Sequence, residues 1–174
     1  ASSASPVDGV TGSACLSGTY CPSGSSAARS CTGGYYCGSN QLGEPTGVCQ
    51  AGYYCVSGAT VPNPTDGVTG DICPAGYYGE SNSTSPAACD AGTLLSTTGG
   101  ESVADCVACT AGSFCSGTGL SAVSGPCSAG YYCPEGQSSS TPGAYVCPAG
   151  SECPEGSAAP ASCASGTYQD DTMH

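Results

Sequence analysis

Lysine and tryptophan are absent from the 174 residues, and arginine, histidine, phenylalanine and methionine occur once each. Arg29 stands alone against 13 acidic residues, for a net charge of −12 and an isoelectric point near 4.1. Nucleic-acid binding needs a basic footprint, so nucleic acid is excluded as a partner. An anionic membrane surface repels such a chain. No apolar run approaches the ~20 residues of a spanning helix, so no membrane insertion is expected. Leu, Ile, Val and Phe together make up about a tenth of the chain, below the ~20% where a packed core becomes doubtful. Burial alone cannot offset a backbone entropy of about 1–2 kcal/mol per residue. The one histidine is His174 at the end of the chain. No Gly-x-Ser-x-Gly elbow is present. The carboxylate pairs Asp170-Asp171 and Glu152/Glu155 fall in loops without a base beside them. The chain is therefore not expected to be an enzyme.

What is abundant is cysteine, 16 residues and an even number, with 28 glycines and 13 prolines. At about 9% this is the composition of a disulfide scaffold. Disulfides persist in oxidising compartments, so an extracellular or cell-surface location is expected. The cysteines fall in a repeat, Cys-x-x-Gly-x-aromatic-Cys, starting at Cys15, Cys31, Cys49, Cys73, Cys89, Cys109, Cys127, Cys147 and Cys163. Every copy has Gly three residues on, as in Gly18, Gly34 and Gly166, and most have an aromatic two further, as in Tyr36, Tyr54 and Phe114. Six close with a second cysteine: Cys21, Cys37, Cys55, Cys115, Cys133 and Cys153. Gly79, Leu95 and Gln169 hold that place in the others. Glycine turns the chain where other residues resist positive φ, and the ring is large enough to cover a disulfide. Turns such as Cys133-Pro134-Glu135-Gly136 follow, with Pro and Gly where a type I turn favours them. The expected fold is small and disulfide-rich, an elongated tandem array of short β-hairpin and turn repeats with almost no helix.

A longer repeat lies over the short one. Pro6–Cys15 matches Pro64–Cys73 at seven of ten positions, 58 residues apart. Cys15–Cys73 and Cys109–Cys163 each carry seven cysteines in the same order, with Cys89 and Cys106 between them. Spacing leaves two pairings open. The favoured one joins each second cysteine to the next motif's first: Cys21–Cys31, Cys37–Cys49, Cys55–Cys73, Cys115–Cys127, Cys133–Cys147 and Cys153–Cys163. Cys15 and Cys109 are then left for inter-unit or inter-chain bonds, and the partner of Cys15 falls before Ala1 or on a neighbour. The alternative closes each complete motif on itself, as Cys15–Cys21, and strands Cys73 and Cys163 unless they pair across the chain.

The stretch from Cys89-Asp90-Ala91-Gly92-Thr93 through Ser102-Val103-Ala104-Asp105-Cys106-Val107-Ala108-Cys109 resembles the ephrin-receptor-like cysteine-rich repeat, a relative of EGF-like and tumour-necrosis-factor-receptor modules. The shorter units resemble arrays in large surface proteins of algae and other protists. The resemblance covers residues 15–169 and implies a Cys89–Cys106 bond. It divides the chain into a first half-array at 1–88, an ephrin-receptor-like joint at 89–108 and a second half-array at 109–174, expected to continue past His174.

Cys106-x-x-Cys109 has zinc-ligand spacing but no second pair to complete a site, and it lacks the βαβ context of a redox motif. Asp71-Ile72-Cys73 and Asp105-Cys106 are thin echoes of a calcium signature, so calcium is not expected. No cofactor is expected other than glycans. Asn82-Ser83-Thr84 is an N-glycosylation sequon. The Ser138-Ser139-Ser140-Thr141-Pro142 cluster has the composition of O-glycan acceptors. The tyrosine pairs place one ring on each face of a strand. The outward set, Tyr35, Tyr53, Tyr77 and Tyr131, serves either to pack on the next repeat or as an assembly surface. The function expected is an extracellular structural protein, a subunit or segment of a glycosylated fibre or coat such as a flagellar-hair or glycocalyx filament. Pro6–Cys15 of one copy is expected to dock head to tail on the Cys163–Asp171 unit of the next. The alternative is the stalk or ligand-binding ectodomain of a receptor or adhesin.

Overall fold

The structure, a computed structural model, describes residues 15–165. Its regular elements there are fourteen strands of two or three residues and one 3-10 turn, Val103–Asp105. Among the described residues the motifs build hairpins on one plan. Tyr35 N–H donates to the Thr32 carbonyl at 3.0 Å, with Gly34 at φ 81° between them. This is a type II turn, whose third position demands positive φ. The corresponding bonds Thr19 to Leu16, Tyr53 to Gln50, Thr93 to Asp90, Ser113 to Thr110, Tyr131 to Ser128 and Ser151 to Pro148 repeat it at 3.0–3.2 Å.

The chain leaves the turn as an outgoing strand, passes the second cysteine position, turns again, and returns just ahead of the next motif's first cysteine. The hairpins are β1 (Thr19–Tyr20) with β2 (Arg29–Ser30), β3 (Tyr35–Tyr36) with β4 (Gly47–Val48), and β5 (Tyr53–Cys55) with β6 (Gly70–Ile72). They continue with β7 (Tyr77–Tyr78) and β8 (Ala87–Ala88), β9 (Thr93–Leu94) and β10 (Val107–Ala108), β11 (Ser113–Phe114) and β12 (Gly125–Pro126), and β13 (Ser151–Glu152) and β14 (Ala161–Ser162). Between the last two hairpins, Tyr131 and Val146 form a single antiparallel bridge in the same place. The motif ring lies across the returning strand. A Cβ added to Gly47 would sit 3.2 Å from Tyr36 Cε1, and one at Gly125 would sit 3.4 Å from Phe114 Cε1. Tyr132 meets Tyr145 edge to face at 5.3 Å. Tyr36 also packs on the cluster of Cys49, Cys55 and Ala59 belonging to the next motif, so the ring covers a neighbouring disulfide as its size suggested.

The chain forms two compact units, one of Ala1–Pro74, Tyr78–Ala87 and Thr98–Ser102, the other of Ala75–Tyr77, Ala88–Thr97 and Val103–His174. The buried apolar side chains among the described residues are mostly cysteines, joined by Ala59, Leu95, Pro64 and Pro142. The core is thus made of cystine rather than aliphatic packing.

The disulfides correct the favoured pairing. Six bonds close a motif on itself: Cys15–Cys21, Cys31–Cys37, Cys49–Cys55, Cys109–Cys115, Cys127–Cys133 and Cys147–Cys153. The seventh is Cys89–Cys106, the bond the ephrin-receptor-like resemblance implied. Cys15 and Cys109 are therefore bonded within their own motifs rather than left for another unit or chain. Cys73 and Cys163, expected in the pairs Cys55–Cys73 and Cys153–Cys163, are free thiols. The reason is geometric. The type II turn folds the two cysteines of a motif to a Cα–Cα distance of 5.8–6.3 Å, within the 4.4–6.8 Å span of a disulfide. The next motif's first cysteine lies instead against the turn glycine, to which it is hydrogen-bonded.

Candidate functional site: the step from one repeat to the next

The feature that recurs most strictly is the contact between successive motifs, and it is made by main-chain atoms. From the first motif to the second, Cys31 N–H donates to Gly18 O and Gly18 N–H to Cys37 O. Cys21 N–H donates to Leu42 O, and Gln41 N–H to Cys15 O. The same four bonds recur at every step as far as the eighth motif, all between 2.6 and 3.0 Å. At the step from the fourth to the fifth motif, the Cys89–Gly76 and Gly76–Leu95 bonds lie in one unit and the Gly79–Gly100 and Gly99–Cys73 bonds in the other. Gly79 and Leu95 stand where a second cysteine is missing, yet both make the backbone bonds of that position.

Sequence reasoning missed the fourth participant. Its N–H reaches the preceding motif's first cysteine, and its backbone is left-handed each time. It is Gln41 (φ 61°), Gly58, Asn82 (φ 73°), Gly99, Gly119, Gly136 and Gly156. The signal was present in the Cys-Pro-x-Gly turns. It was obscured because the residue falls three or four places after the second cysteine position and is not glycine at Gln41 and Asn82. A further contact skips one motif. A Cβ on Gly18 would lie 2.8 Å from Gly58 O, and one on Gly52 would lie 2.8 Å from Gly99 O. Asn82, Gly119, Gly136 and Gly156 cover Gly34, Gly76, Gly92 and Gly112 likewise. The motif glycine is thus required twice, for its φ and for this close approach.

The four outward tyrosines occupy one register position and are half-buried. Tyr35 pairs with Val48 and Tyr53 with Ile72. Tyr53 packs on the Cys49, Cys55 and Ala59 cluster. The Tyr77 ring lies over Gly119, where an added Cβ would come within 2.7 Å of it. Tyr131 bridges to Val146. For Tyr53 and Tyr77 these contacts are packing within the repeats.

Asn82 is exposed. So are Ser138, Ser139 and Thr141, while Ser140 is half-buried and its carbonyl accepts from Ser128 N–H at 2.9 Å. The Asp66 carboxylate closes the turn before β6, accepting from Val68 N–H (2.8 Å), Thr69 N–H (2.7 Å) and the Thr69 hydroxyl (2.7 Å). The Thr69 hydroxyl, then these amides, hold its carboxyl below the usual carboxylate range. Asp71, in the calcium echo, accepts from Ile72 N–H at 2.8 Å. Among the described residues no group of three or more His, Cys, Asp or Glu is placed to hold a metal ion. Burial pushes the Cys73 thiol up from its ordinary pKa. An open cavity of about 300 Å³ is lined by Gly24, Ser25, Ser26, Ala27 and Arg29.

The proposed docking pair Pro6–Cys15 and Cys163–Asp171, and His174, lie outside the described residues apart from Cys15 and residues 163–165. Seven disulfides suit an oxidising compartment, and among the described residues no helix is long and apolar enough to cross a membrane. Compared with known protein families and with the curated proteins, the chain shows no match, and what stands is a cysteine-rich tandem array of two-stranded hairpins.

Proposed function

We propose that the chain is an extracellular structural protein, a subunit or segment of a disulfide-stapled, glycan-bearing fibre or coat. The observation that carries this reading is the four-bond step, repeated without change of register from motif to motif. Beyond the motif glycine it needs no particular side chain, so the step that adds one motif to another serves equally to add one copy to the next. Such head-to-tail contacts are heterologous and give filaments when the rotation does not close. The Cys89–Cys106 bond supports kinship with ephrin-receptor-like repeats, and the serine- and threonine-rich surface supports a carbohydrate coat. Negative-stain electron microscopy of the native secreted material, taken before any reduction, tests the proposal. Filaments with a regular axial repeat are expected. Dispersed single chains would overturn it in favour of a receptor or adhesin stalk.

A further inference from the structure

We propose that Asn82 carries an N-linked oligosaccharide, an inference that rests on the reading of the chain as exported. Asn82 occupies the left-handed position of the step, which is glycine at five of the seven steps among the described residues. Asparagine tolerates that conformation better than other side chains, so the backbone alone would account for an asparagine here. It does not account for the residues that follow. Asn82-Ser83-Thr84 completes the acceptor sequence, whereas Asn40 is followed by Gln41-Leu42 and Asn63 by Pro64.

The structure presents this sequence for modification. Asn82 is exposed at the tip of a turn closed by Ser83 N–H on the Glu80 carbonyl at 3.1 Å. Its N–H is bonded to Cys49 O and the Ser83 carbonyl accepts from Cys55 N–H, so the turn is fixed from both sides. The side-chain Oδ1 lies over Gly34, which leaves Nδ2 at the opposite corner of the amide. Thr84 is exposed, with its methyl group near Gly33. The donor is an oligosaccharide linked to a lipid pyrophosphate. The Asn82 Nδ2–C1 bond forms as the C1–O bond to phosphate breaks, the amide gives up one proton, and the lipid pyrophosphate leaves.

The test is secretion of the chain from a eukaryotic cell, with intact mass measured before and after peptide:N-glycosidase treatment. One glycan mass per chain should be lost on treatment, with Asn82 converted to Asp. Thr84→Val removes the acceptor hydroxyl and keeps the asparagine, and Asn82→Gly removes the acceptor and keeps the left-handed turn. Both should be secreted with seven disulfides and without the glycan. A wild-type chain secreted with its seven disulfides and unmoved by the enzyme would overturn the assignment, as would a glycan that survives in either variant. A chain that gains the glycan but never leaves the cell would support the site while sinking the exported reading.

Discussion

At the scale of single residues, two glycines with the same φ sign separate two roles. Gly24 has φ 81° with nothing within 4 Å of an added Cβ, whereas Gly92 has φ 89° and faces the Gly136 carbonyl. Gly24→Ala should cost only the left-handed conformation, about 1–2 kcal/mol. Gly92→Ala adds a collision between main chains that no rotamer can relieve. In denaturant titrations it should lower stability well beyond Gly24→Ala, and equal losses would show that the close approach does not matter. Asp66 makes a prediction about pH. Its folded pKa lies below the unfolded value, so its contribution is complete above the unfolded pKa and is lost as pH falls through the folded one. The Val68 and Thr69 amide resonances should titrate together below the ordinary Asp range, and Asp66→Asn should abolish that titration.

At the scale of the element, the fourth motif is a hairpin without its disulfide. Cys73 is buried, and the buried Gly79 stands where its partner would be. A Cβ at Gly79 would lie 2.7 Å from Cys73 Sγ, with Tyr53 O at 2.9 Å as the neighbour that must give. Gly79→Cys should therefore form an eighth disulfide. In the chain-entropy model a loop of this length is worth about 2 kcal/mol. Alkylation of the unreduced, denatured chain should find two thiols in the wild type, Cys73 and Cys163, and one in the variant. In the native wild type Cys163 should react first, since Cys73 is buried and its thiol is held protonated. The hairpins themselves were legible from the sequence, because glycine at a fixed place and a following aromatic announce turn and strand. The pairing of cysteines was not. Both schemes use separations that loops allow, and what decides between them is the main-chain bond of each first cysteine to the previous glycine. A main-chain bond constrains residue identity only loosely, through the backbone conformation it needs. For the same reason Gln41 and Asn82 did not stand out as step residues.

At the scale of the molecule, the core is the set of disulfides. Among the described residues the buried apolar side chains are cysteines with only Ala59, Leu95, Pro64 and Pro142 beside them, so reduction removes the staples and most of the interior together. The reduced chain should lose its chemical-shift dispersion and far-ultraviolet strand signal in a single event at neutral pH. Retained dispersion would mean that the main-chain step holds the array unaided.

That step also bears on how such a chain comes to have its length. A joint made of amide hydrogens and carbonyl oxygens is present in any copy of the repeat that keeps its turn glycine, whatever its other side chains have become. Duplicating the gene from one first cysteine to a later one inserts whole repeats, each arriving with the donors and acceptors its neighbours require. Deleting one leaves a junction of the same kind. The likeness of Pro6–Cys15 to Pro64–Cys73, three motif starts apart, is the trace expected of such copying. Repeat number is then a quantity that inheritance can vary freely while the fold of each repeat stays constant.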